Sequence, residues 1–281
     1  MPVRRFNHII MVLLLFASFL GLYYPVFLKL IQDWEVDPNY SHGYFIPLIA
    51  AYMIWLKKDE LKQIDYRGTN WGLILVIPGL LQFFLAWVGS EYFLQGISLI
   101  VVLLGSVIYL WGGKAGHVLL VPILYLIFMI PLPAIIWNQL SFPLALTASK
   151  AATWVAGAMG LSILREGNVL TMPNITLQVA EACSGLRSLT TLLALSALLA
   201  YISSLKNWKK WVLFLAAVPV AVLGNIFRLT TTALLANRYG SHMAEGFIHE
   251  FSGMVVFIVG LIMLLLMLAL LSRLGNQVNI E

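Results

Sequence analysis

Long apolar runs separated by short polar segments dominate the chain. Eight such runs cover Ile9–Leu28, Tyr44–Leu56, Trp71–Gly89, Tyr92–Trp111, Val118–Trp137, Leu189–Leu205, Trp211–Ala236 and Phe251–Leu271. Most of them approach the roughly 20 residues that a helix needs to cross the hydrocarbon core of a bilayer. Inside lipid, helices satisfy their own backbone hydrogen bonds. The pattern therefore predicts an all-α polytopic membrane protein with about eight transmembrane helices.

The stretch between the fifth and sixth runs, residues 137–188, has a different character. Asn138–Met159 is mildly apolar and contains Lys150, which is typical of a helix lying on the membrane surface or of an extra pair of half-spans. Val169–Thr171 and Ile175–Val179 are rich in β-formers and are bounded by turn residues. We expect a small segment on the outer face here, an interfacial helix followed by a hairpin.

Composition narrows the class of protein further. Hydrophobic residues make up 61% of the chain and charged residues 10%, whereas a soluble domain carries roughly 25% charged residues. Such a chain cannot cover a soluble globule, and one cysteine excludes a disulfide scaffold. We find no metal-ligand spacing, phosphate loop or dinucleotide fingerprint. The sequence predicts a single integral membrane domain over residues 1–281, with no metal, cofactor or nucleic-acid partner, and it specifies no oligomeric state.

The distribution of basic residues predicts the orientation. With the N-terminus inside and eight spans, most of the 17 lysine and arginine residues fall on the inner side, as cytoplasmic loops prefer. The first run follows Arg4 and Arg5 like a signal peptide, but it is long and no small-residue cleavage site follows it. We therefore expect an uncleaved first span and an N-in, C-in topology.

The only cysteine lies in the segment that precedes the sixth run. Cys183 is flanked by Glu181 and Arg187, and a helix is expected to begin near Ser184. Amide groups and the positive dipole at a helix N-terminus favour a thiolate, and Arg187 would add to that effect. The alternative is a small apolar side chain that fills a gap.

Two further polar positions lie at the outer ends of the last two spans. Asn225 and Arg228 share a helix face within the seventh run. A guanidinium in an apolar run either stabilises an anion or extends to the membrane interface. His249 opens the eighth span as a candidate acid/base or as a boundary histidine. Under the predicted topology, Cys183, Arg228 and His249 reach the same face at similar depth. A nucleophile, an acid/base and an oxyanion clamp suffice for acyl transfer through a thioester. His42, in the loop after the first span, is a candidate lining residue of the same site.

These segments resemble the signature blocks of the exosortase/archaeosortase family. The blocks are Glu-Ala-Cys-Ser-Gly-Leu-Arg at 181–187, Asn-Ile-Phe-Arg at 225–228 and His-Glu-Phe-Ser-Gly at 249–253. The resemblance, closest to bacterial exosortases, implies a multi-pass cysteine protease or transpeptidase of the inner membrane, with its site facing the periplasm and a link to exopolysaccharide production. It implies exported protein substrates with a C-terminal Pro-Glu-Pro motif, a transmembrane helix and a basic tail. By position, Cys183 would be the nucleophile, His249 the acid/base and Arg228 the oxyanion or substrate stabiliser, with Asn225, Glu181, Arg187 and His42 as supporting residues.

Two other functions are compatible with the same residues. A transporter or polysaccharide-export component would use Arg228 to bind an anionic lipid or sugar phosphate. An intramembrane protease of the glutamate type would use Glu181 or Glu250, although neither lies in mid-span beside a second acid. Replacement of Cys183 by serine separates a thiol enzyme from a transporter, because a transporter should tolerate the change and a thiol nucleophile should not.

Overall fold

The computed structural model describes residues 2–173, 175–178, 185–240 and 246–274. Five of its helices are long and apolar enough to cross a membrane, and they cover Val12–Val36, Asn70–Val88, Tyr92–Trp111, Asn207–Tyr239 and Phe251–Arg273. The helices on either side of a break near residue 130 together form a sixth candidate. The predicted class, an all-α polytopic membrane protein, is confirmed.

The span count in the described residues is lower than the predicted eight because two apolar runs form short helices. The second run is a helix of 12 residues and the sixth a helix of 17. At 1.5 Å per residue these helices are about 18 Å and 26 Å long, short of a hydrocarbon core about 30 Å thick. The N-in, C-in orientation stays a prediction.

The fifth predicted run, Val118–Trp137, does not form a single helix. A helix ends at Tyr125, a 3₁₀ turn covers Leu126–Met129, and the next helix begins at Ala134. Pro131 and Pro133 lie in the gap, where each proline lacks a backbone donor and disfavours helical geometry in the residue before it. The chain also divides here into two compact units, Met1–Leu132 and Pro133–Glu281. The single domain over 1–281 stays a prediction.

The first unit contains six helices. They are α1 (Pro2–Val36), α2 (Phe45–Leu56), α3 (Lys58–Lys62), α4 (Leu73–Val88), α5 (Tyr92–Trp111) and α6 (Gly113–Tyr125), with 3₁₀ turns at Pro38–Tyr44, Asn70–Gly72 and Leu126–Met129. Buried polar side chains join three of them: the Tyr23 and Ser98 hydroxyl oxygens lie 3.1 Å apart between α1 and α5, and the Gln95 amide donates to the Ala86 carbonyl of α4. In lipid, such interhelical hydrogen bonds help hold neighbouring helices together.

Within its described residues, the second unit contains four helices and a small sheet. These are α7 (Ala134–Ala158), β1 (Leu164–Glu166), β2 (Val169–Met172), β3 (Ile175–Gln178), α8 (Leu186–Ile202), α9 (Asn207–Tyr239) and α10 (Gly246–Arg273). The strands are antiparallel in the order β1-β2-β3. The predicted hairpin is therefore present as β2 and β3, with β1 as an additional strand. The predicted interfacial segment Asn138–Met159 belongs to α7, and its position relative to the membrane stays a prediction.

Helices α8, α9 and α10 pack around one apolar core. Its members include Leu192, Leu213, Ala217 and Leu264, all fully buried or nearly so. Small residues allow the helices to approach closely, as is common between membrane helices. A Cβ atom on Gly260 of α10 would lie 2.9 Å from a Leu192 methyl group of α8.

Contacts between α9 and α10 follow one antiparallel register along the length of the pair. At one end Arg228 faces Ser252, and one turn further Gly224 faces Val256. At the other end the buried Lys209 ammonium donates to the Leu271 carbonyl at 2.7 Å. The two residue numbers of each facing pair add to the same value, which is the relation expected of two antiparallel helices that keep a single register. Polar contacts at both ends therefore define how the helices align.

Candidate functional site

Arg228 of α9 is a buried cation with a hydroxyl partner. Its side chain is 9% exposed, and its Nε donates to the Ser252 Oγ of α10 at 3.2 Å. A guanidinium is costly to remove from water unless its donors are satisfied. The burial agrees with a charge held inside the helix pair and argues against a side chain that extends freely to the membrane interface.

Asn225 lies one turn before Arg228 and contacts the start of α8. Its side chain is 2% exposed. Gly185, the residue before α8, has φ +83°, and a Cβ atom there would lie 2.8 Å from the Asn225 Cγ. Glycine is required at this point twice over, for the left-handed conformation and for the space. The end of the 181–187 block is thus held against α9 one turn from Arg228.

The position of His249 follows from the α10 backbone. The helix begins at Gly246, and position 249 is three residues before Ser252. Positions three apart share one side of a helix. The side chains of His249 and Glu250 lie outside the described part of the chain.

Cys183 and Glu181 fall within residues 179–184, outside the described residues. In the chain they precede Gly185 by two and four positions. Arg187 is described and is exposed in the first turn of α8, where its carbonyl accepts hydrogen bonds from Thr190 and Thr191. Its predicted effect on the thiol stays a prediction.

His42 belongs to the first unit. It lies in the 3₁₀ turn Pro38–Tyr44, which the Asp37 carboxylate caps, and its ring stacks on Tyr40. The Tyr40 hydroxyl oxygen accepts the Leu132 backbone N–H at 2.9 Å. Burial raises the pKa of Tyr40 to about 12, which keeps this phenol neutral. The expectation that His42 lines the same site as Arg228 stays a prediction.

Ser252 is one of two residues of the candidate site to which the sequence patterns assigned no role. It lies inside the 249–253 block, yet a serine in such a block gives no indication of its partner. The Arg228 contact depends on the register between two helices, which a one-dimensional pattern does not contain. Gly185 is a second such residue, since its need for space depends on Asn225.

The described side chains can stabilise negative charge. A buried guanidinium, an amide and a hydroxyl lie at one level of the α8–α9–α10 bundle, and such donors are strongest where water is excluded. Within the described residues, no group of three or more His, Cys, Asp or Glu side chains could hold a metal ion. The arrangement is therefore suited to an anion or to a developing oxyanion.

Comparison with known proteins gives the family. A protein-family model described as transmembrane exosortase matches residues 34–266, which include the 181–187, 225–228 and 249–253 blocks. Comparisons with curated proteins and with solved structures find no match. Exosortases are cysteine-type transpeptidases that act in the membrane on exported proteins carrying a sorting signal. Since the match covers most of its length, the chain belongs to the transmembrane exosortase family.

Proposed function

We propose that this protein is a membrane-embedded cysteine protease or transpeptidase that removes the C-terminal sorting tail of exported proteins. Cys183 is the nucleophile, His249 the acid/base and Arg228 the group that stabilises the oxyanion. One observation carries the proposal: the described parts of the three sequence blocks lie at one level of the α8–α9–α10 bundle. Arg228 contacts Ser252 of the third block, and Asn225, one turn away, contacts Gly185 of the first.

Covalent reach supports the assignment of Cys183. Two residues of chain span at most about 7 Å, so the thiol segment stays close to Gly185 and hence to Asn225. The N-terminal end of α8 begins directly after Gly185. Amide groups at such an end favour a thiolate over a thiol.

The reaction proceeds in two steps. The Cys183 thiolate adds to the scissile carbonyl, and the negative charge moves to the carbonyl oxygen near Arg228. The C–N bond then breaks as His249 protonates the leaving amine, which departs with the tail and leaves a thioester. Water or an amine attacks the thioester, His249 accepts the proton of that nucleophile, and the Cys183 thiolate is released.

The burial of Arg228 supports its proposed role in stabilising the oxyanion. In a medium of low effective dielectric the attraction between a fixed positive charge and a new negative charge is several times larger than in water. Because the guanidinium is already held in place, little reorganisation accompanies the reaction. Removing one donor of this kind lowers turnover about 10²- to 10³-fold.

Substrate and location complete the proposal. The substrate tail consists of a Pro-Glu-Pro motif, a transmembrane helix and a basic end, and the scissile bond lies just before that helix. The protein lies in the inner membrane of a bacterium with its site facing the periplasm, and its products serve exopolysaccharide production. The apolar spans and the family support a membrane location.

The test is cleavage of a tailed substrate co-expressed with the protein. Mass spectrometry of the C-terminus identifies the cleaved bond and any added amine. Cys183→Ala and Cys183→Ser should abolish processing, and Arg228→Ala and His249→Ala should reduce it strongly. Arg238→Ala is the matched control for Arg228→Ala, since Arg238 is exposed near the end of the same helix. Normal processing by Cys183→Ser would refute the thiol mechanism.

A further inference from the structure

The hydrogen bond between Arg228 and Ser252 crosses from α9 to α10. We propose that Ser252 is the positioning residue of Arg228, an inference that rests on the proposed function of Arg228 in stabilising the oxyanion. The donor is Nε, at 3.2 Å from the serine Oγ, and Arg228 as a residue is 9% exposed. Ser252 acts through Arg228 and holds it in the orientation that the reaction needs.

The choice of donor atom matters because the guanidinium is planar. Nε lies in the same plane as the two terminal nitrogens, so an anchor at Nε defines how the whole plane is turned. Arginine is otherwise a flexible side chain with many rotamers. An acceptor at a defined position in the next helix selects among these rotamers.

Close packing of the two helices is what brings the short serine side chain within reach. One turn from the hydrogen bond, Gly224 of α9 faces Val256 of α10, and a Cβ atom on the glycine would lie 2.9 Å from the valine Cγ1. The same register continues to Lys209 and Leu271 at the far end of the pair. The acceptor is therefore presented by a helix whose alignment is defined at more than one level.

The chemistry of the acceptor separates positioning from simple ion pairing. A serine hydroxyl is neutral, so this contact orients the guanidinium and adds no negative charge beside it. A carboxylate at the same place would bind arginine more strongly, but it would neutralise the charge that the oxyanion requires. Serine at position 252 therefore orients the guanidinium without contributing a negative charge of its own.

The experiment measures kcat and KM of the full-length protein in detergent or lipid nanodiscs with a tailed substrate. Ser252→Ala should lower kcat about 10- to 100-fold with little change in KM. Without its anchor, Arg228 stabilises the transition state less well, whereas substrate binding does not depend on that contact. Ser252→Thr keeps a hydroxyl and should restore kcat to within a few fold of the wild type. Ser252→Asp should yield folded protein with low kcat. Ser272→Ala, on the same helix but bonded to the Ala269 carbonyl of its own helix, is the matched control and should leave kcat unchanged.

A second set of variants tests whether Ser252 acts through Arg228. In the Arg228→Ala background, Ser252→Ala should have no further effect on the residual activity. An equal effect in both backgrounds would overturn the proposal, and so would wild-type activity in Ser252→Ala. Loss of folded protein with unchanged kcat per folded molecule would assign the bond to stability and also overturn it. If Arg228→Ala itself keeps full activity, the proposed function of Arg228 fails; if only Ser252→Ala does, the positioning role alone fails.

Discussion

Gly185 is the residue at which one added methyl group should disturb the site most directly. It precedes α8 with φ +83°, and a Cβ atom would lie 2.8 Å from the Asn225 Cγ and 2.9 Å from the Asn225 Cβ. The Cγ can swing away by a side-chain rotation. The Cβ cannot, because it is attached to the α9 backbone, so Gly185→Ala has to displace the start of α8 or α9 itself.

The magnitude is the sum of two terms. Placing alanine in the left-handed region costs about 1–2 kcal/mol, and overpacking a close contact costs about 1–3 kcal/mol. We therefore expect Gly185→Ala to lower the free energy of unfolding by about 2–5 kcal/mol. Because Cys183 is two residues away, cleavage per folded molecule should also fall at least about tenfold.

Two other glycines separate the terms. Gly160 has φ +89° and Gly157 lies in α7, and within the described part of the chain nothing lies within 4 Å of a Cβ atom on either of them. Gly160→Ala should incur only the backbone cost of about 1–2 kcal/mol, and Gly157→Ala should be neutral or slightly stabilising. Free energies of unfolding are measured by titration with a denaturing detergent, and cleavage by mass spectrometry. Equal losses for Gly185→Ala and Gly160→Ala would refute the steric argument.

Three further changes test other contacts. Gly224→Ala crowds a valine methyl of α10 at 2.9 Å and should destabilise the protein by about 1 kcal/mol. Gly253→Ala is the control and should not destabilise it, because no described atom lies that close. Equal effects of the two changes would contradict the close α9–α10 packing. Lys209→Met removes a buried donor to an α10 carbonyl and should cost about 1–3 kcal/mol of unfolding free energy, with the neighbouring Lys210→Met as control; no loss would show that the bond contributes little. Because burial raises the pKa of Tyr40 from 10.0 to about 12, the folded state retains a proton that the unfolded state loses, so stability should fall as the pH rises from 10 to 12. The stability of the Tyr40→Phe variant should fall less steeply over that range. Identical slopes for the variant and the wild type would contradict the raised pKa of Tyr40.

Much of the helical framework was predictable because lipid leaves the backbone few alternatives. An apolar run in a bilayer must be helical, and Tyr92–Trp111 is both a predicted run and a helix in the structure. The hydropathy pattern failed where prolines interrupt the helix within a continuous apolar run. Between Val118 and Trp137 the hydropathy hides the break that Pro131 and Pro133 introduce.

In the candidate site, proximity within one helix was predictable, but contacts between helices were not. Asn225 and Arg228 share a helix face by spacing alone, so their proximity followed from the sequence. The partner of Arg228 did not, because Ser252 becomes its neighbour only through the register between α9 and α10. Strand β1 was not predicted for a related reason. It has only three residues, two of them charged, so it shows no alternating pattern, and it forms because β2 pairs with it.

The two buried cations of α9 also relate the protein to the thickness of its membrane. At 1.5 Å per residue, about 28 Å of helix separates Lys209 from Arg228, close to the roughly 30 Å hydrocarbon thickness of a typical bilayer. Both cations lie on α9, and each has a partner on α10. Neither cation can therefore shift along the membrane normal without the other. A thinner or thicker bilayer must therefore tilt the helix pair or deform around it, and the depth of Arg228 then changes with the lipid. Acyl-chain length in the surrounding membrane thus becomes a variable that sets how deep the guanidinium lies.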